Sequence, residues 1–252
     1  MRKYKMSLLL MSLLLVLTGC QKVENEEGFF YATFVKPMDW SLDTLGSMFN
    51  GSYGIAIIVI TLIIRLVLMP FMLKTYRTQS EMKVKMDTVR PMMEDIQLRM
   101  KKAESKEEQM AIQQEMIALY KEHNINPLNM GCLPMLIQMP IVMGLYFAIL
   151  YSEEIKTHSF LWFDLGTPDV VMTIIAGAVY FVQAKVSLST VPEAQKQQMK
   201  LMIYLSPIMI VIISFTSMAA LPLYWTVGGL FLIGQTYIGR KYFSHVPETK
   251  EG

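Results

Sequence analysis

Apolar and polar residues fall in long blocks along this chain rather than in a short alternation. Five apolar runs, 54–73, 132–151, 168–186, 201–218 and 222–239, are separated by polar segments. Each is close to the roughly 20 residues that a helix needs to cross a bilayer. The pattern predicts an all-α integral membrane protein with five transmembrane helices. A shorter segment, 20–53, precedes the first run. Its Phe29, Phe30, Phe34, Trp40 and Leu42 predict a part lying on the membrane surface, interrupted by Pro37.

The polar block 74–131 keeps a helical period of its own. Met92, Ile96 and Met100 give one helix an apolar stripe, and Met110, Ile112, Met116 and Ile117 give another helix its own. Pro91 breaks or starts a helix before the first stripe. Ser105-Lys106-Glu107-Glu108 is a capping box for the second, in which Ser105 accepts from the N3 amide and Glu108 reaches back. Glu81/Lys85 and Asp95/Arg99 are favourable pairs one turn apart. The block therefore reads as a helical hairpin. Its stripes are most simply packing between the two helices. The other reading is a surface for apolar partners, which methionine's flexible thioether suits. Asn126-Pro127 and Thr167-Pro168 read as an N-cap followed by an N1 proline.

The N-terminus is a targeting segment. Arg2, Lys3 and Lys5 precede a short apolar stretch, 8–17, which ends in Leu17-Thr18-Gly19-Cys20. This ending resembles the bacterial lipoprotein signal box, which implies removal of residues 1–19 and diacylation of Cys20. An ordinary signal anchor with a chance cysteine is the other reading. Two acyl chains anchor stably where one does not. The expected divisions are then a signal peptide 1–19, a lipidated outer segment 20–53, a five-helix core 54–239 holding the hairpin 74–131, and a basic tail 240–252.

Charge placement sets the orientation. The chain is 53% hydrophobic and its net charge is only +2. Yet ten lysines and arginines lie in 74–131, Lys196 and Lys200 lie in 187–200, and Arg240, Lys241 and Lys250 lie in the tail. The opposite segments hold only Lys22, Lys36 and Lys156. That is the positive-inside pattern of a multi-pass protein of the bacterial cytoplasmic membrane, with Cys20 outside and the hairpin and tail inside.

Arg65 is the residue this frame does not explain. It lies about 12 Å from the inner end of the first run and about 16 Å from the outer, at ~1.5 Å per residue. An arginine at that depth costs about 2.5–3.5 kcal/mol on insertion scales, and it stays protonated. Snorkelling is weak so far from either end. Thr61 is one turn away on the same face. Gln138 lies between Pro134 and Pro140, about 9 Å from the inner end of the second run at ~1.5 Å per residue. Thr226 and Gln235 occur in the fifth run and Gln183 near the inner end of the third. Taken alone, Gln138 is an interhelical hydrogen bond. Together with Arg65 it points to a hydrated cavity open toward the cytoplasm. Trp225, near the outer end of the fifth run, fits an aromatic belt equally well.

Several chemistries drop out. His123, His158 and His245 all lie outside the apolar runs, which leaves a Ser-His or metal site within the membrane unsupported. Neither HExxH nor GxxxxGK occurs. No carboxylate sits in mid-run to relay protons. Two cysteines make no disulfide framework. No cofactor, metal or catalytic residue is expected, and the basic excess is topology rather than a nucleic-acid patch.

Four blocks resemble the YidC family of membrane protein insertases over about residues 30–243. They are Ser52-Tyr53-Gly54-Ile55-Ala56-Ile57-Ile58 leading to Arg65 and Pro70; Leu119-Tyr120-Lys121-Glu122-His123-Asn124-Ile125-Asn126-Pro127 continuing to Cys132-Leu133-Pro134-Met135-Leu136-Ile137-Gln138-Met139-Pro140; Phe160-Leu161-Trp162-Phe163-Asp164-Leu165-Gly166-Thr167-Pro168-Asp169; and Leu223-Tyr224-Trp225-Thr226. The lipoprotein signal and the lack of a large outer domain look like the Gram-positive branch. Two departures stand out. Met218-Ala219-Ala220 stands where the family usually has a proline a few residues before the last block, and Gly228-Gly229 stands where asparagine often follows it.

The resemblance implies a non-enzymatic insertase and chaperone for newly made membrane proteins. It implies five helices enclosing a hydrophilic groove that opens to the cytoplasm and to lipid. The groove arginine falls on Arg65, its glutamine on Gln138 and its tryptophan on Trp225, with Thr61 and Gln235 as further polar residues. The implied partners are nascent membrane proteins and membrane lipids, with the ribosome and the Sec translocon as candidates and no specific nucleic acid. Two rivals remain: a small-molecule or anion transporter using Arg65, and a lipoprotein that only scaffolds a secretion complex.

Overall fold

A computed structural model describes residues 23, 27–125, 132–189, 191 and 193–243. The signal peptide, Cys20, Asn126-Pro127 and the tail beyond Phe243 lie outside them. In chain order the elements are α1 (Gly28–Phe30), a π-helical turn (Tyr31–Val35), α2 (Lys36–Met48), α3 (Tyr53–Thr88), α4 (Arg90–Lys102), α5 (Lys106–Glu122), α6 (Cys132–Tyr151), α7 (Glu153–Thr157), β1 (Ser159–Phe160), β2 (Phe163–Asp164), α8 (Val170–Leu188), α9 (Glu193–Ser214) and α10 (Ala220–Phe243). The described residues are thus almost wholly helical. Two described helices, Tyr53–Thr88 and Val170–Leu188, are long and apolar enough to cross a membrane, and Gln138–Tyr151 and Met199–Ser214 are shorter apolar helices.

The first apolar run ends at Leu73, but α3 continues to Thr88. Nothing from Lys74 to Thr88 breaks a helix, and Arg77 Nε pairs with Glu81 Oε1 at 3.0 Å. Glu81 therefore takes Arg77, not the Lys85 expected from spacing. Pro70 sits inside α3 without ending it, although it offers no amide to the Leu66 carbonyl. Pro37 likewise does not interrupt its segment. The helix widens to a π turn just before it, with the Lys36 amide on the Tyr31 carbonyl, and α2 then carries the proline in its first turn, where no donor is needed.

By contacts the chain divides into two compact units. The first comprises 1–62, 136–173 and 213–225. Its fully buried side chains include Leu42, Ile57, Leu145, Ile149, Ile155, Leu165 and Leu221. Gly144 admits Phe34 to the α6 backbone, since a Cβ there would lie 2.9 Å from the Phe34 carbonyl oxygen. β1 and β2 form a two-stranded antiparallel ladder, with Ser159 opposite Asp164 and Phe160 opposite Phe163. An all-helical reading does not contain this element. Leu161 turns the ladder at φ 55°. The amides of Ala219 and Ala220 donate to the carbonyls of Thr167 and Leu165 at 2.9 and 3.0 Å. A proline at either position would delete one of these bonds, so the alanines fit the contact made here. α8 starts at Val170 rather than Pro168, because Asp169 caps it, accepting from the Met172 amide at 2.6 Å.

The second unit comprises 63–135, 174–212 and 226–252. The hairpin α4–α5 packs here around Met82, Met86, Val89, Met93, Ile96, Ile112, Leu119 and Ile125. Met100 and Met116 are partly covered, whereas Met92, Met110 and Ile117 stay about half exposed. The stripes are thus mainly a packing seam, centred on Met93 rather than Met92. Ser105 caps α5, accepting from the Glu108 amide at 3.1 Å. The Glu108 carboxylate reaches back one residue further than expected, to the Glu104 amide at 3.2 Å. Asp95 meets Arg99 at 2.8 Å, and Arg99 also grips Glu115 of the facing helix through both terminal nitrogens, at 2.8 and 2.5 Å.

Candidate functional site around Arg65

Arg65 is half-buried on α3 in the second unit. Among the described residues it makes no ion pair. Its guanidinium lies over a bare stretch of α10. A Cβ built on Gly228 would stand 3.2 Å from Arg65 Nη2, 3.7 Å from Nε and 3.9 Å from Cζ. The neighbouring Gly229 receives α8, for a Cβ there would meet Val179 Cγ1 at 2.8 Å and Tyr180 Cε2 at 3.3 Å. The glycine pair therefore lets α10 approach two partners at once, as small residues do between membrane helices.

A second contact on the same two helices fixes their direction. Tyr76 packs against Gly239, where a Cβ would lie 2.9 Å from the ring, and its hydroxyl is 2.7 Å from Thr236 Oγ1. From Arg65 to Tyr76 and from Gly228 to Gly239 is the same sequence step, about three helical turns at ~3.6 residues per turn. α3 and α10 thus run parallel with matched faces. Sequence reading singled out Gly228-Gly229 only as a departure. Nothing short of this register shows that Gly228 faces Arg65.

The other expected site residues divide between the units. Thr61, Gln138 and Trp225 belong to the first. Thr61 is buried, and its hydroxyl donates to the Ile57 carbonyl at 2.6 Å. Gln138 and Trp225 are half-buried. Gln235 belongs to the second unit, buried on α10. No hydrogen bond joins Thr61, Gln138 and Trp225 to one another, and none joins Arg65 to Gln235. Gln138 Oε1 is buried without a protein partner, as are Ser214 Oγ and Ser217 Oγ in the same unit and Thr226 Oγ1 in the second. The two serines were not singled out in sequence, since a serine at the end of an apolar run is unremarkable there. Each such oxygen costs about 1–3 kcal/mol if no partner reaches it. Among the described residues no group of histidine, cysteine or carboxylate side chains is placed to hold a metal.

Residues 44–246 match the family model described as 60Kd inner membrane protein. The chain is 50% identical to the membrane protein insertase YidC 2 of Listeria monocytogenes over 244 residues, covering 96% of this chain and 89% of the relative. It is 47% identical to the membrane protein insertase YidC of Staphylococcus carnosus over 251 residues, covering 97% and 87%, and 46% identical to that of Staphylococcus aureus over 254 residues, covering 98% and 88%. The chain in which Arg65 lies against Gly228 thus belongs to the YidC family of membrane protein insertases.

Proposed function

We propose that this chain inserts newly made proteins into the cytoplasmic membrane through a hydrophilic groove built on Arg65. Family membership carries the insertase role and makes the protein a catalyst of transfer that changes no covalent bond. Nothing in the comparisons favours a transporter. The observation that carries the groove is Arg65 itself, half-buried on an apolar helix with no carboxylate to neutralise it among the described residues. The orphaned oxygens of Gln138, Ser214, Ser217 and Thr226 support it, because buried polar groups are otherwise satisfied by protein or water.

A membrane protein with an outer polar segment must carry that segment through hydrocarbon. A wet groove shortens the dry distance and offers partners, which lowers the desolvation cost. Arg65, in reduced dielectric, attracts acidic residues of the segment. Gln138, Thr61, Trp225 and Gln235 supply the rest of the lining. The apolar helix of the substrate then leaves sideways into lipid, and transfer of apolar surface drives the step without nucleotide.

Five spans, 54–73, 132–151, 168–186, 201–218 and 222–239, with the hairpin and the basic tail inside, complete this reading. The parallel run of α3 and α10 supports it, since the first and fifth of five spans must point the same way. Residues 1–19 are the signal peptide, and Cys20 is the acylated residue that anchors the 20–53 segment outside. The hairpin receives substrate, the basic tail contacts the ribosome, and the Sec translocon is a candidate partner.

The test is insertion of a small single-span protein into liposomes holding this chain alone, without nucleotide. Protected, membrane-integrated substrate is the expected result. Substrate left accessible, with uptake of a small anion instead, would overturn the proposal in favour of a transporter.

A further inference from the structure

A cavity of about 250 Å³ lies in the second unit, where α3, the turn after α8 and the end of α10 meet. α3 contributes Gln79, Ser80, Lys83 and Asp87, the turn contributes Ser189, and α10 contributes Arg240. The α3 residues recur at three- and four-residue steps, so they form one polar face. Lys83 Nζ donates to the Ser189 carbonyl at 3.4 Å, and Arg240 Nη1 donates to Ser189 Oγ at 2.9 Å. The Ser189 hydroxyl is itself spent on the Val186 carbonyl at 2.5 Å.

Two cations therefore converge on one neutral serine. Neither has a carboxylate partner among the described residues. Asp87 is the single anionic group on the wall, and it leaves the cavity positive. The cavity also sits where apolar sequence stops. Ser189 follows directly on α8, Arg240 lies in the last turn of α10 just past its apolar run, and Lys83 lies beyond the apolar half of α3. A phosphate oxygen there would accept charge-assisted bonds from both cations, shorter and stronger than those a serine provides.

We propose that this cavity binds the phosphodiester headgroup of an anionic phospholipid of the cytoplasmic leaflet. The lipid clamps α3 to α10 below the Arg65–Gly228 contact, and so holds the register on which that contact depends. The leaflet rests on the topology proposed above. The site itself rests on the cavity and its two cations.

The experiment titrates the purified full chain with phosphatidylglycerol or phosphatidylcholine and counts bound lipid by native mass spectrometry. Wild type retains phosphatidylglycerol in preference. Lys83→Gln and Arg240→Gln each weaken that preference by about fivefold, the effect of one cation near a membrane surface. Asp87→Asn strengthens it. Lys241→Gln, which removes the same charge from a residue that does not line the cavity, leaves it unchanged. Equal retention of the two lipids by wild type, or equal loss in Lys241→Gln, overturns the proposal. Displacement of phosphatidylglycerol by an equal concentration of inorganic phosphate overturns the lipid assignment. Insertion is measured in parallel. A protein that inserts but shows no lipid preference refutes only this site, and one that shows the preference but does not insert refutes only the function proposed above.

Discussion

The guanidinium of Arg65 occupies the space that a side chain at Gly228 would fill, with Nη2 3.2 Å from the place of the missing Cβ. Gly228→Ala therefore presses on the far end of a flexible side chain, which can yield by a few tenths of an ångström. Folding is expected to be kept, and Gly228→Val is expected to displace the guanidinium. Insertion of substrates with acidic outer segments falls with side-chain size in the order Gly, Ala, Val, while substrates with neutral segments are affected less. Parallel loss for both substrate types would show that Gly228 acts on packing alone.

Gly229 contrasts with its neighbour. Its Cβ would meet Val179 Cγ1 at 2.8 Å, and a β-branched side chain on a helix has little freedom to move. Gly229→Ala is expected to destabilise the protein by about 1–3 kcal/mol as an overpacking change. Thermal melting in detergent, read by size-exclusion fluorescence, checks this. A Tm below that of Gly228→Ala is the expected order.

In the hairpin, buried and exposed apolar residues make opposite predictions. Ile96 is 3% exposed and Met110 is 59% exposed. Ile96→Ala is expected to loosen the hairpin by about 2–5 kcal/mol and to speed limited proteolysis between α4 and α5. Met110→Ala and Met92→Ala are expected to leave proteolysis unchanged and to weaken crosslinking to a nascent substrate. Unchanged crosslinking would remove the exposed methionines from the receiving surface.

The Arg99–Glu115 bridge is solvent-exposed, so its contribution is small and screened by salt. The hydrogen bond from Arg99 nonetheless holds the Glu115 carboxyl below its ordinary value. A depressed carboxyl stabilises the fold above its unfolded pKa, and that help is lost as pH falls through the folded value. Glu115→Gln is expected to flatten the acid limb of hairpin unfolding, followed by circular dichroism, and to change little at neutral pH. An unaltered acid limb would assign that limb to other carboxylates.

Acylation is tested by mass. Cys20→Ser is expected to abolish both acyl additions and to leave residues 1–19 attached. Wild-type protein carrying no acyl mass would favour the signal-anchor reading.

How much of this was legible in the sequence depended on the range of the interaction. Cys132–Tyr151 coincides with the predicted second run, because hydropathy alone marks where such a helix starts and stops. The Ser105 cap and the Asp95–Arg99 pair are local and were equally plain. The unbroken run of α3 to Thr88 is less plain, because hydropathy marks an end at Leu73 although no residue after it breaks a helix. Pro37 reads as an interruption in the sequence for a related reason: the π turn that absorbs it leaves no local signal. The two-residue strands at Ser159–Phe160 and Phe163–Asp164 are too short for any period to show. Arg65 announced itself by charge and depth, whereas its neighbour Gly228 could be known only from the parallel register of α3 and α10.

The most direct measurement compares wild type, Arg65→Lys and Arg65→Ala in liposome insertion of a single-span protein with an acidic outer segment. Wild type and Arg65→Lys are expected to insert it, and Arg65→Ala is expected to fail. Equal insertion by all three would contradict a role for positive charge in the groove.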